Sequence, residues 1–245
     1  MSERPAAVEA RADAASRRRP VRSYVLRKGR MTEGQRRALR ELWPRYGVEP
    51  GGEPLDFKTV FGNDRPVIME IGFGNGAATW RMARERPDEN YLGVEVHRPG
   101  VGHLLLKIEE HDLENVRIAC EDAVDLLRER VPDNGLDGVR IFFPDPWHKK
   151  RHHKRRLVQA PFVELLARRM KPGAMLHIAT DWAPYAEQMV EVLAGATYFE
   201  NLSPAGDFSP RPQWRPPTRY EQRGERLGHD VFDLLYRRVE ASGAN

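Results

Sequence analysis

Cysteine is all but missing: Cys120 is the single one among 245 residues. One thiol cannot form an internal disulfide, so the fold must rest on its core, and a reducing compartment is expected. Long apolar runs are missing as well. No stretch approaches the roughly 20 residues that a membrane-spanning helix needs. The first residues lack the hydrophobic centre of a secretory signal, and Glu3, Glu9 and Asp13 among the N-terminal arginines and alanines argue against a transit peptide. The expected location is cytoplasmic. A strong net charge is also lacking. The balance is +4 with 31% of residues charged, so partners must be read from where charge clusters.

The chain is long enough for one substantial core. Residues 1–22 hold Ala, Arg and Pro, with little to bury, and are expected to be a disordered basic arm. From Ser23 to residue 245 a single domain with an N-terminal extension is expected, and Thr32 reads as the N-cap of its first helix. From Pro66 the rhythm changes. Short apolar runs at VIMEI, YLGVEV, NVRIACED, LDGVRIFF and AMLHIATD alternate with helical patterns. That alternation predicts an α/β fold, a parallel sheet with helices on both faces and right-handed crossovers. HDVFDLLYRRVE near the end predicts a returning antiparallel strand.

EIGFGNGA sets Gly72, Gly74 and Gly76 directly after the first of these strands. Glycines let the backbone turn tightly and let a ligand sit against the following helix. The spacing also satisfies the dinucleotide fingerprint, so the turn alone does not choose a ligand. Charge does tilt the choice. Glu70 would repel a pyrophosphate but attract the ammonium and sulfonium of S-adenosyl-L-methionine. Glu95 lies about 20 residues on, where an acid accepts from ribose hydroxyls. Asp122, read as the end of the third strand, is placed to read an adenine amino group. Asp145, after the fourth strand, faces the same crevice edge.

Around Asp145 the sequence is IFFPDPWHKKRHHKRR. Two prolines stiffen the turn, and Trp147 offers a face on which a base can stack. Acids are absent from His148–Arg156, which holds six Lys/Arg and three His. A solvated face normally mixes both signs. This density of cations suits phosphates, and the surrounding charge argues against His148, His152 and His153 as metal ligands. The Asp-Pro-Trp turn also has a structural reading, as a capped turn.

With these segments in hand, the chain resembles the bacterial tRNA (guanine-N7)-methyltransferase family. The resemblance lies in EIGFGNG, GVEVHRPGVG, RIFFPDPWHKKRHHKRRLVQ, ATDWAPYAEQM and RPPTRYEQRGERLGH, and spans nearly everything from Ser23 onward. It implies a class I methyltransferase fold, with a mostly parallel seven-stranded sheet and an antiparallel last strand. It implies methyl transfer from S-adenosyl-L-methionine to N7 of guanine 46 in the tRNA variable loop. By motif position, Glu70, Glu95, Asp122 and Asp145 would hold the donor beside the glycines, with Asp145 also catalytic. Lys149, Asp181, Thr218, Arg219, Tyr220 and Glu221 would bind the substrate. Arg151, His152, His153, Lys154, Arg155 and Arg156 would meet the RNA. Arg219-Tyr220 stands where the family often has Lys-Phe. Neither a membrane, a metal nor an obligatory protein partner is expected. A different RNA target, a nicotinamide-dependent dehydrogenase and a non-catalytic RNA-binding module remain as alternatives.

Overall fold

Thr32 opens the first helix as its side chain predicts. Its Oγ1 accepts from Gln35 N at 3.2 Å, and Gln35 Oε1 accepts from Thr32 N at 2.8 Å, a reciprocal capping box. The computed structural model describes residues 22–24, 29–217, 221 and 230–240. Helix α1 (Glu33–Glu41) leads through α2 (Trp43–Tyr46), strand β1 (Gly47–Val48) and α3 (Phe57–Phe61) to an alternating series. That series is β2 (Val67–Ile71), α4 (Ala77–Glu85), β3 (Asn90–Val94), α5 (Arg98–Glu110), β4 (Val116–Ala119), α6 (Ala123–Glu129) and β5 (Leu136–Phe142). A 3-10 helix over Lys150–Arg155 and α7 (Ala160–Arg169) precede β6 (Met170–Thr180), α8 (Ala183–Ala194), β7 (Phe199–Asn201) and β8 (Phe232–Arg238).

The strands form one sheet in the order β1-β4-β3-β2-β5-β6-β8-β7. Only β8 runs against the rest, paired antiparallel to β6 and to β7. Among the described residues there are thus eight strands. The extra one is the two-residue β1 on β4, too short to leave a signal in the sequence. Lys171-Pro172-Gly173 lies inside β6, where Met170 pairs with Leu136 and Met175 with Gly138. Gly173 relieves this excursion with φ +86°.

Both faces of the sheet are covered, which is why its central strands read as continuous apolar runs. Val67, Met69 and Ile71 point with Ile141, Leu166, Ile178 and Met189 into one core. Ile68 points with Ala38, Met82, Leu104 and Ile118 into the other. The period of two along β2 therefore survives full burial. It also sends Glu70 toward α4, on the side of Ile68. Chain order reverses about β2: β3 and β4 lie on one side, β5 and β6 on the other. Ligands of open α/β sheets sit in the crevice beyond the strand ends at such a switch point. Among the described residues, no helix is long and apolar enough to cross a membrane.

Candidate active site

A cavity of about 630 Å³ opens at the carboxyl ends of the parallel strands, a size typical of small-molecule sites. Glu70, Gly72, Gly74, Glu95, Asp122 and Asp145 all line it. Four carboxylates expected from their strand-end positions thus share one space. The turn after β2 forms the floor. Gly72 has φ +73° and Gly74 φ +61°, and a Cβ added at either would meet no atom within 4 Å. Side chains there would be strained and would project into open space. Gly76 differs. It caps α4 with φ +74° and does not line the cavity; a Cβ would lie 2.7 Å from Leu104 Cδ1. Its expected place in cofactor binding gives way to helix packing.

The carboxylates are held unequally. Glu70 is buried and accepts from Thr79 Oγ1 at 2.7 Å. Burial pushes its carboxyl up to about 7, against the opposing pull of Thr79 and Arg140. Glu95 follows β3 directly, and its two oxygens accept from Gly74 N at 2.8 Å and His97 N at 2.9 Å. Each oxygen keeps further lone pairs for a ligand. Asp122 lies three residues past β4 rather than at its end. It caps α6, accepting from Val124 N at 2.9 Å. Asp145 is exposed at the cavity mouth. The turn that carries it is bracketed by Phe143 at φ +53° and Trp147 at φ +47°. Left-handed backbone at bulky residues costs about 1–3 kcal/mol each and persists only where surroundings enforce it.

The basic segment splits by orientation. Lys149, Lys150, Arg151 and Lys154 are exposed and His152 and His153 half-buried. Arg156 is only 4% exposed. It donates to Pro146 O at 2.9 Å, Pro184 O at 3.4 Å and Gln188 Oε1, and its guanidinium lies 4.7 Å from the Tyr185 ring centroid. Its expected contact with RNA is therefore corrected: it is a buried brace under the segment. Arg155 is also engaged. It stacks 3.9 Å from the Trp147 ring centroid and donates to Arg22 O and Tyr24 O, both at 3.1 Å. Trp147, expected to offer a stacking face, has one face covered by that guanidinium.

Asp181 follows β6 and is half-buried, outside the cavity lining. Its loop meets the Asp145 loop where His148 packs edge-on against Trp182, centroids 4.3 Å apart. Thr218, Arg219 and Tyr220 lie outside the described residues. Glu221 is buried, and its oxygens accept from Arg215 Nη1 and Nη2 at 2.9 Å each. Arg215 also reaches Asp233 Oδ2 at 2.9 Å, and Asp233 Oδ1 lies 2.6 Å from His177 Nε2. Glu221, expected to bind the substrate, thus sits in an ion-pair network that ties it through Arg215 to Asp233 of β8 and on to His177 of β6. Burial is the main force holding the His177 imidazole below its ordinary range, against the opposing pull of Asp233.

Sequence reasoning missed three things here. Ser23 and Tyr24 line the cavity, yet SYVLR carries no periodicity to place them. Gly100 lets α5 approach so closely that a Cβ would lie 2.0 Å from Gly74 O; its presence in GVEVHRPGVG was the available clue. Arg215 stood three residues before Thr218 as one more cation, with nothing local to mark it as buried.

A sheet wound outward from its centre, with an acid-lined cavity at the switch point, makes this a class I methyltransferase fold. The family described as "Putative methyltransferase" matches residues 64–234. A tRNA (guanine-N(7)-)-methyltransferase of Cronobacter sakazakii is 53% identical over 91% of this chain and 93% of its own length. Its namesake from Alkalilimnicola ehrlichii is 53% identical over 96% of this chain and 100% of its own. The chain belongs to the tRNA (guanine-N7)-methyltransferase family. Among solved structures, the 16S rRNA methyltransferase KamB superposes with TM-score 0.55 at 17% identity, over 80% of this chain and 99% of that one. A 16S rRNA (adenine(1408)-N(1))-methyltransferase from Catenulisporales acidiphilia, solved with the cosubstrate SAM, gives 0.52 at 17%, over 78% and 95%. At that identity the likeness concerns the fold alone.

Proposed function

We propose that this protein transfers a methyl group from S-adenosyl-L-methionine to N7 of guanine 46 in the variable loop of tRNA. The observation that carries the reading is Asp145, exposed where the acid-lined cavity meets the cationic segment, in a chain of this family.

The cavity fits such a donor. Glu70 and the other acids favour a cationic ligand, and the open floor at Gly72 and Gly74 admits it against the backbone. Glu95 accepts from ribose hydroxyls, and Asp122 reads the adenine amino group. When bound, the donor supplies an electrophilic methyl on sulfur. Guanine N7 has a lone pair and no proton at neutral pH, so the protein need not remove one. Its residues have to orient N7 in line with the methyl carbon and the sulfur. Orientation of this kind lowers a barrier by up to about 7–11 kcal/mol.

Asp145 accepts from N1–H and the exocyclic amine of the guanine, helped by Asp181 across the His148–Trp182 contact. Positive charge moves from sulfur to the base during transfer, and nearby carboxylates favour that shift. Lys149, Lys150, Arg151 and Lys154 grip phosphates, offsetting the few kcal/mol needed to extract the base. Thr218, Arg219, Tyr220 and Glu221 bind the substrate, Glu221 with its charge already matched by Arg215. In the test, unmodified tRNA is incubated with protein and donor, then treated with borohydride and aniline. Strand scission confined to the variable loop is expected. Methyl incorporation without scission there would overturn the target.

A further inference from the structure

Ser23 and Tyr24 belong to no element of the sheet, yet they line the cavity together with Asp122 and the glycine turn. Among the described residues, three hydrogen bonds hold their segment in place, and all three come from the turn and basic segment beyond β5. Trp147 Nε1 donates to Ser23 O at 3.0 Å, Arg155 Nε to Arg22 O at 3.1 Å, and Arg155 Nη2 to Tyr24 O at 3.1 Å. The acceptors are main-chain carbonyls, so the hold fixes the backbone without using the side chain of Tyr24. The Tyr24 hydroxyl accepts from Arg22 Nη1 at 2.7 Å, which leaves the ring as a half-buried wall of the cavity. Its surroundings agree: burial, then the charge of Asp122, pushes the phenol up from its ordinary range.

We propose that Tyr24 is a donor-binding residue whose ring packs on the adenine end of the donor beside Asp122, and that Trp147 and Arg155 are positioning residues that hold it there. The inference rests on reading the cavity as the methyl-donor site. An aromatic wall suits this end of the ligand, because a purine offers a broad π-face and an edge that Asp122 can accept from. It also gives Arg155 a task that phosphate binding does not explain. The guanidinium is spent on Trp147 and two carbonyls, so the segment expected to meet RNA also completes the donor site.

The test is calorimetric titration of the full chain with S-adenosylhomocysteine and, separately, with adenosine. Tyr24→Ala should weaken both by about tenfold, the order expected for losing one ring–base contact. Tyr24→Phe, which keeps the ring, should stay within about twofold of the parent protein, since only the bond to Arg22 is lost. Trp147→Phe keeps a ring at 147 but removes the donor to Ser23, and should weaken both ligands by about three- to fivefold. This variant carries the test if Tyr24→Ala does not fold. Unchanged affinity in Tyr24→Ala, or in Trp147→Phe in its place, overturns the inference and leaves the donor cavity standing. A loss seen with S-adenosylhomocysteine but not with adenosine overturns the adenine placement. A parent protein that binds neither ligand overturns the donor-site reading itself.

Discussion

The rim of the cavity and the cationic segment beside it are built on different terms. Rim residues sit within three residues of where parallel strands end, so strand order brings them together. Glu70, Glu95, Asp122 and Asp145 meet because β2, β3, β4 and β5 are neighbours in the sheet. The segment Lys150–Arg155 is a 3-10 helix with no buried residue of its own. Which of its cations face solvent is decided by what lies beneath. A strand end therefore announces its function in sequence, whereas a run of arginines conceals the division between those that bind a partner and those that brace the fold.

Substitutions can break that comparison at its strongest point first. Asp145→Ala should lower turnover by at least about 100-fold while tRNA affinity, measured by filter binding, stays within about threefold. Equal losses in both would make Asp145 a gripping residue rather than an orienting one. On the other side, Arg156→Ala should remove about 2–3 kcal/mol of stability, because it deletes a buried guanidinium that bonds Pro146 and Gln188 and packs on Tyr185. For a chain of this size that is roughly 5–10 °C in Tm, read by calorimetry. An Arg156→Ala variant that melts normally but loses tRNA would return the residue to the RNA face.

Lys150→Ala with Arg151→Ala should leave Tm unchanged and weaken tRNA binding. The slope of log affinity against log salt should flatten by about 1.4–1.8, as two phosphate contacts imply. The smallest effect concerns Glu70. Its carboxyl titrates near 7, above the ordinary 4.5. Its contribution to stability is therefore fully present below about pH 4.5 and fades as pH rises through 7. A cationic donor reverses the preference, since it favours the ionised form. Donor affinity should rise by up to tenfold per pH unit below 7 and level off above it, with proton release detectable by titration in two buffers. Glu70→Gln should flatten this profile; a profile unchanged by it would mean that another group titrates.

The alternation of strands with helices was legible because a sheet covered on both faces turns every strand into an apolar run. Glu95, Asp122 and Asp145 were legible because they follow those runs, and Glu70 because it interrupts one. Other parts depended on distant partners. Arg156 is buried by Tyr185 and Gln188, about thirty residues on. Arg215 is buried by Asp233. Tyr24 reaches the cavity through bonds that span more than 120 positions. None of these contacts leaves a local periodicity. β1 escaped for the opposite reason, since two residues are too few for any pattern.

Phe143 and Trp147 set a strained, left-handed backbone against the contacts of their side chains. Glycine at either position would relieve local strain but delete a ring packed on its surroundings, a larger loss than the strain relieved. At Trp147 it would also delete the indole that donates to Ser23 and carries Arg155. Two bulky residues in so unfavourable a conformation mark a turn shaped by what it must hold.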